Sequence, residues 1–128
     1  MVQNFKTCLV IEDDHDLRVS LRQVFEAAGF YVFTVTNSFN ALELLKIIPA
    51  PKLIICDLNM PIMDGASFIL AKKELPKIRE VPVIVISAQN EKLCEFPDIA
   101  CLPKPLDVNL LLKTAEDKIA GKPLIPKR

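Results

Sequence analysis

Residues 53–65 read LIICDLNMPIMDG, and the way the apolar run stops decides how the chain folds. Leu53, Ile54, Ile55 and Cys56 do not alternate with polar residues, which is the pattern of a strand covered on both faces, as in a parallel sheet under helices. The run ends on Asp57, and Pro61, Asp64 and Gly65 then break regular structure. An ionised carboxylate at the rim of a core is costly unless something compensates it. Asp57 is therefore either leaving the core for solvent or held there for chemistry.

Four further apolar runs resemble this one: TCLVIED and FYVFTV before it, VPVIVIS and IACLPK after it. Helical periodicity fills the gaps. After the first run, Leu17, Leu21, Val24, Phe25 and Ala28 share one helical face and Gly29 closes the helix. In SFNALELLKII, Ser38 is the expected cap, Ala41, Leu42, Leu45 and Ile48 face inward, and Pro49 and Pro51 end the helix. ASFILAKKELP gives a third helix, and LDVNLLLKTAEDKIAG a last one, with Asp107 as cap and Leu111, Ala115 and Ile119 inward. Between Ser87 and Ile99, Pro97 leaves room for a short, irregular element of about two turns. This alternation predicts an α/β fold, a single doubly wound five-stranded parallel sheet with helices on both faces. Residues 1–121 form the expected domain, and residues 122–128, with two prolines and three bases, read as a tail or the start of a linker.

A chain of 128 residues, 51% of them hydrophobic, can bury one continuous core without metal or disulfide staples. Sixteen basic and sixteen acidic residues cancel, so no net field draws the domain to nucleic acid or to an anionic membrane. The amino-terminal residues lack a signal-peptide pattern, and no apolar run approaches the roughly 20 residues of a spanning helix. A cytoplasmic protein is expected. Cys8, Cys56, Cys94 and Cys101 lack CxxC spacing and read as buried reduced thiols.

The polar residues that end the runs are Glu12 and Asp13, then Asp57, Ser87 and Lys104. All stand at carboxyl ends, which share one edge in a parallel sheet, where such folds bind ligands. Two carboxylates about 4 Å apart repel by roughly 4 kcal/mol at the effective dielectric of a protein surface, so the group calls for a cation. Glu12, Asp13 and Asp57 are all-oxygen ligands and suit Mg²⁺ with several waters better than Ca²⁺. A carboxylate nucleophile, a divalent ion, a hydroxyl and an ammonium match phosphoryl transfer to an aspartate. Asp57 would attack, Lys104 would act as a point charge on one phosphoryl oxygen, and Ser87 would donate to another.

The motifs VIEDDHDLR, DLNMPIMDG, VIVISA and LPKP, in this order, resemble the receiver domain of two-component response regulators over residues 7–120. The resemblance implies a flavodoxin-like sheet of order 2-1-3-4-5. It also implies Asp57 as phosphoacceptor, Glu12, Asp13, Asp57 and the Asn59 backbone carbonyl as Mg²⁺ ligands, and Ser87 and Lys104 as switch hydroxyl and phosphate-side lysine. A cis peptide before Pro105 is a further family feature. The implied partners are a sensor histidine kinase or phosphotransfer protein, and an output protein or effector domain beyond this chain. Direct nucleic-acid binding and membrane contact are not implied.

Two features depart from the family. Cys101 stands where an aromatic residue usually lies three positions before the lysine, and the interval from Ser87 to Lys104 is about five residues short, roughly a turn and a half of helix. These departures keep a second reading open, a docking module whose phosphorylation is unused. An aspartyl-phosphate hydrolase would need a second acid two residues after the nucleophile, where Asn59 stands. Taken singly, Asp57 is a turn aspartate, Ser87 a strand-end hydroxyl and His15 a surface residue; Asp14 and Asp16 are helix-start charges favoured by the macrodipole. The register of all four motifs favours the site.

Overall fold

A computed structural model of the chain describes residues 6–58, 65–87 and 99–121. Among these residues the order is β1 (Thr7–Ile11), α1 (His15–Ala27), β2 (Tyr31–Val35), α2 (Ser38–Leu45), β3 (Leu53–Asp57), α3 (Gly65–Lys73), β4 (Val83–Ser87), β5 (Ala100–Pro103) and α4 (Val108–Ile119). The five strands form one sheet in the order β2-β1-β3-β4-β5, and every neighbouring pair is parallel. The doubly wound sheet expected from the apolar runs is thus present. The irregular element expected between Ser87 and Ile99 and the tail 122–128 lie outside the described residues.

Alternation along the strands splits the core in two. Cys8, Val10, Leu53, Ile55, Ile84 and Ile86 pack with Leu21 and Phe25 of α1 and Leu111 and Ala115 of α4. Leu9, Ile11, Ile54, Cys56, Val83 and Val85 pack on the other face with Ala41 and Leu45 of α2 and Phe68 and Ile69 of α3. Each fully buried aliphatic or aromatic side chain contributes about 1.5–3 kcal/mol, so these two layers supply the driving force. Strands β3 and β4 are buried at all ten positions, which is why neither shows polar alternation in sequence.

Local chemistry sets the helix ends. The Asp14 carboxylate accepts from the Leu17 N–H and starts α1, and Asp107 accepts from the Leu110 N–H and starts α4. In α2 the cap is Asn37, whose Oδ1 accepts from the Asn40 N–H at 2.7 Å, and Ser38 is the first helical residue. The expected Ser38 cap is corrected by one position, since the longer amide reaches the free N–H where the serine is already inside the helix. This helix closes at Leu45 with Lys46 as its cap, ahead of both prolines. Gly29 takes φ 97° just after α1, a left-handed turn that favours glycine.

The cysteines divide by position. Cys8 and Cys56, in the central strands β1 and β3, are free and buried. Cys101 is disulfide-bonded, against the expectation of reduced thiols throughout. It sits half-buried on β5, an edge strand of the sheet among the described residues, whereas strands flank Cys8 and Cys56 on both sides.

Candidate functional site

Backbone hydrogen bonds carry the ladder past the strand ends and fix the residues that follow. Glu12 N donates to Val35 O at 3.1 Å, Leu58 N to Ile86 O at 2.8 Å, and Lys104 N to Ser87 O at 2.9 Å. Parallel register then brings the carboxyl ends of β1, β3, β4 and β5 to one edge, with Asp57 opposite Ile86 and Ser87 opposite Pro103. Residues separated by more than ninety positions meet there.

One carboxylate oxygen from each of Glu12, Asp13 and Asp57 lies within 4.8 Å of the others. Glu12 and Asp57 are 1% and 3% exposed, so water cannot hydrate their charge, while the neighbouring Asp13 faces solvent. Lys104 Nζ donates to Asp57 Oδ2 at 3.1 Å. Burial works against the Lys104 ammonium, but its hydrogen bond to Asp57, the Asp57 charge, and Glu12 and Asp13 behind it hold the pKa above the usual lysine value.

Glu12 Oε2 accepts from the Asp14 N–H at 3.0 Å, whereas Oε1 is buried without a hydrogen-bond partner among the described residues. Burial pushes the Glu12 carboxyl up to about 8; the Asp14 N–H opposes this and the Asp57 charge adds to it. A buried acceptor with nothing to accept is unfavourable. A hard cation among the three carboxylates would satisfy that oxygen, so the donor set fits Mg²⁺ on an observation of this structure.

Ser87 is fully buried, and its Oγ has no partner among the described residues. A hydroxyl next to the Asp57 end of the sheet is thus free to donate. The Lys104–Pro105 peptide is cis, as the resemblance implied. Asn59 lies outside the described residues. His15 is exposed in the first turn of α1, where the expectation put it.

One contributor escaped the sequence reading. Arg18 Nη1 donates to the backbone carbonyls of Glu12, at 3.1 Å, and Asp13, at 3.3 Å. Side chains on a helix lean toward its amino terminus, so an arginine in the first turn of α1 reaches back over the acidic loop. The position of Arg18 just after the acids was the available signal.

Comparison with known proteins identifies the family and the fold. A family model described as the response regulator receiver domain matches residues 8–116. The chain is 33% identical over 104 residues to a transcriptional regulatory protein, a CpxR homolog of Haemophilus influenzae, covering 77% of this chain and 44% of that protein. With two further curated relatives considered, it spans only 34–60% of their length. A crystal structure of a sensor protein from Polaromonas sp. superposes with a TM-score of 0.82 at 30% identity, covering 91% of this chain and 97% of that one. The receiver domain of sensor histidine kinase PA1611 from Pseudomonas aeruginosa, solved with magnesium coordinated in its active-site cleft, shares the fold at TM-score 0.82 and 20% identity, covering 91% of this chain and 98% of that one.

Proposed function

The chain belongs to the response regulator receiver domain family, the aspartate-phosphorylated module of two-component signalling, and from that premise we propose that Asp57 is its phosphoacceptor. The observation that carries the proposal is the Lys104–Asp57 contact at 3.1 Å inside a cluster of three carboxylates. A buried acid that is both paired and crowded is positioned for reaction rather than for solubility.

An Asp57 carboxylate oxygen attacks phosphorus, the new oxygen–phosphorus bond forms, and the bond from phosphorus to the donor's histidine nitrogen breaks, its electron pair leaving with that nitrogen. Lys104 balances charge on a phosphoryl oxygen and Ser87 Oγ–H donates to another. Glu12, Asp13 and Asp57, with the Asn59 carbonyl as a further ligand, would hold Mg²⁺, which when bound supplies positive charge against the phosphoryl oxygens. Low-dielectric walls around Asp57 and Ser87 strengthen each of these contacts.

The donor is a histidine kinase or phosphotransfer protein, and the output is a change in protein contacts, through a separate protein or an effector domain. Phosphorylation would shift an existing equilibrium to the extent that Ser87 and Lys104 bind the phosphoryl group better in one state than in the other.

Incubation with a small acyl phosphate and Mg²⁺ is expected to add the mass of one phosphoryl group, absent in Asp57→Asn and without metal. No adduct in the native chain would sink the proposal in favour of a docking module, and sustained turnover of phosphate esters would favour a hydrolase.

A further inference from the structure

The amino-terminal edge of the sheet, opposite the acidic cluster, holds a groove of about 810 Å³ between the start of β3, the loop before β4 and the ends of α3 and α4. Seven of its sixteen lining residues are lysine or arginine, and Glu80 is the one acid among them. In a chain whose charges cancel overall, that is a strong local excess.

Part of the excess has a bland explanation. Lys72, Lys73 and Lys118 lie in the last turns of α3 and α4, where cations offset the helix macrodipole. Lys6, Lys52, Lys77 and Arg79 sit outside helices and gain nothing from it. Lys77 Nζ and Arg79 Nε are fixed by the backbone carbonyls of Leu45 and Lys73, at 2.8 and 3.2 Å, and neither forms an ion pair among the described residues. Lys72 is only 7% exposed, and its ammonium donates to the Arg79 carbonyl at 2.7 Å. Burial lowers the pKa of Lys72; Glu80 opposes and Lys73 adds to the effect.

The rest of the lining is aliphatic, with Ile69, Val81, Val83 and Ile119 among it and no aromatic ring. A mainly apolar notch of about 230 Å³ adjoins the groove, sharing Lys6 and Ile119 with it and lined also by Phe30, Leu112 and Ala115, with Glu116 as its one acid. The one ring in the lining of this notch, Phe30, is 9% exposed and lies under Lys6 Nζ at 4.8 Å, so bases of a nucleic acid would find little to stack on. The chain's own tail, residues 122–128, carries three bases and no acid, so its charge has the wrong sign.

We infer that this groove and its notch dock an acidic segment of a partner protein that carries aliphatic anchor side chains. Carboxylates would meet Lys52, Lys77 and Arg79, and a leucine or isoleucine would fill the notch. Docking there leaves Asp57 open, because β3 puts about 13 Å between the two rims at roughly 3.3 Å per residue.

The test is fluorescence anisotropy with a labelled peptide of repeating Glu-Glu-Leu and the full 128-residue chain. Saturable binding is expected, about tenfold weaker in Lys52→Glu/Lys77→Glu and a few-fold weaker in Lys52→Glu alone, and weakening as salt rises beyond about 0.1 M. Polyglutamate of equal length should bind several-fold more weakly, since it lacks anchors. Lys113→Glu, away from the groove, should leave affinity unchanged, as should Asp57→Asn, so this result stands apart from the phosphoacceptor reading. Absence of saturable binding, equal loss in Lys113→Glu, or tighter binding of an oligothymidylate would overturn the inference. Lys52 has an exposed side chain, so its single variant keeps the test valid if the double variant fails to fold.

Discussion

The Lys104 N–H donates to the Ser87 carbonyl at 2.9 Å, which locks the ammonium and the hydroxyl of the site onto adjacent strand ends. The two backbones are held side by side, and the side chains they carry are expected to act on one phosphoryl group together. Their separate removal should nonetheless differ.

Ser87→Ala deletes a buried hydroxyl that has no partner among the described residues. Leaving such a group unsatisfied costs about 1–3 kcal/mol, so the unphosphorylated variant is expected to be as stable as the parent or up to about 1 kcal/mol more stable. Urea midpoints check this. Phosphoryl uptake should fall about tenfold in the same variant, the loss of one directed donor.

Lys104→Met removes one partner of a carboxylate that is 3% exposed. Phosphoryl uptake is expected to slow by about 10²-fold, as for the loss of one charged group facing a developing anion, while Mg²⁺ binding tightens because the acids lose their competing cation. A mass time course and a metal titration measure the two effects, and a parallel fall in both would contradict the assigned role.

Glu12 gives the metal-free protein a pH dependence of definite sign. Its carboxyl is raised from an ordinary 4.5 to about 8 in the folded state. Below the ordinary value both states hold the proton and the group costs nothing. Between the two values the unfolded chain has released the proton and the folded chain has not, so stability falls as pH rises and levels off above about 8. Denaturation midpoints across this window test it. Mg²⁺ competes with that proton, so its affinity should climb by up to about tenfold per pH unit below this value, with proton release on binding.

Arg18→Ala cuts the two hydrogen bonds to the Glu12 and Asp13 carbonyls. The acidic loop loosens, and Mg²⁺ affinity is expected to drop by roughly tenfold, as for other groups that orient ligands from behind. Stability should fall by only about 1 kcal/mol. A titration showing unchanged affinity would assign Arg18 to the helix start alone.

The sheet was legible because β3 and β4 are buried on both faces and leave unbroken apolar runs, and because Asp57, Ser87 and Lys104 interrupt those runs at their ends. The burial difference between Glu12 and Asp13 was not legible, since adjacent acids look alike until the strand's alternation assigns one inward. Arg18 was hidden for another reason: it serves backbone carbonyls, which carry no side-chain pattern. The Cys101 disulfide was not legible because the four cysteines carry no CxxC spacing. The basic groove draws four of its seven cations from residues 72–79, where Glu74 and the following Glu80 mask the excess along the chain, and the other three from Lys6, Lys52 and Lys118, far apart in sequence.

Opposed rims have one more consequence. Among the described residues, carboxylates gathered at one end of the strands and ammonium groups at the other give the molecule a dipolar charge distribution even though its formal charge is zero. Such a body is turned by an approaching partner's field before it is pulled, so ionic strength would govern the angle of encounter more than its frequency.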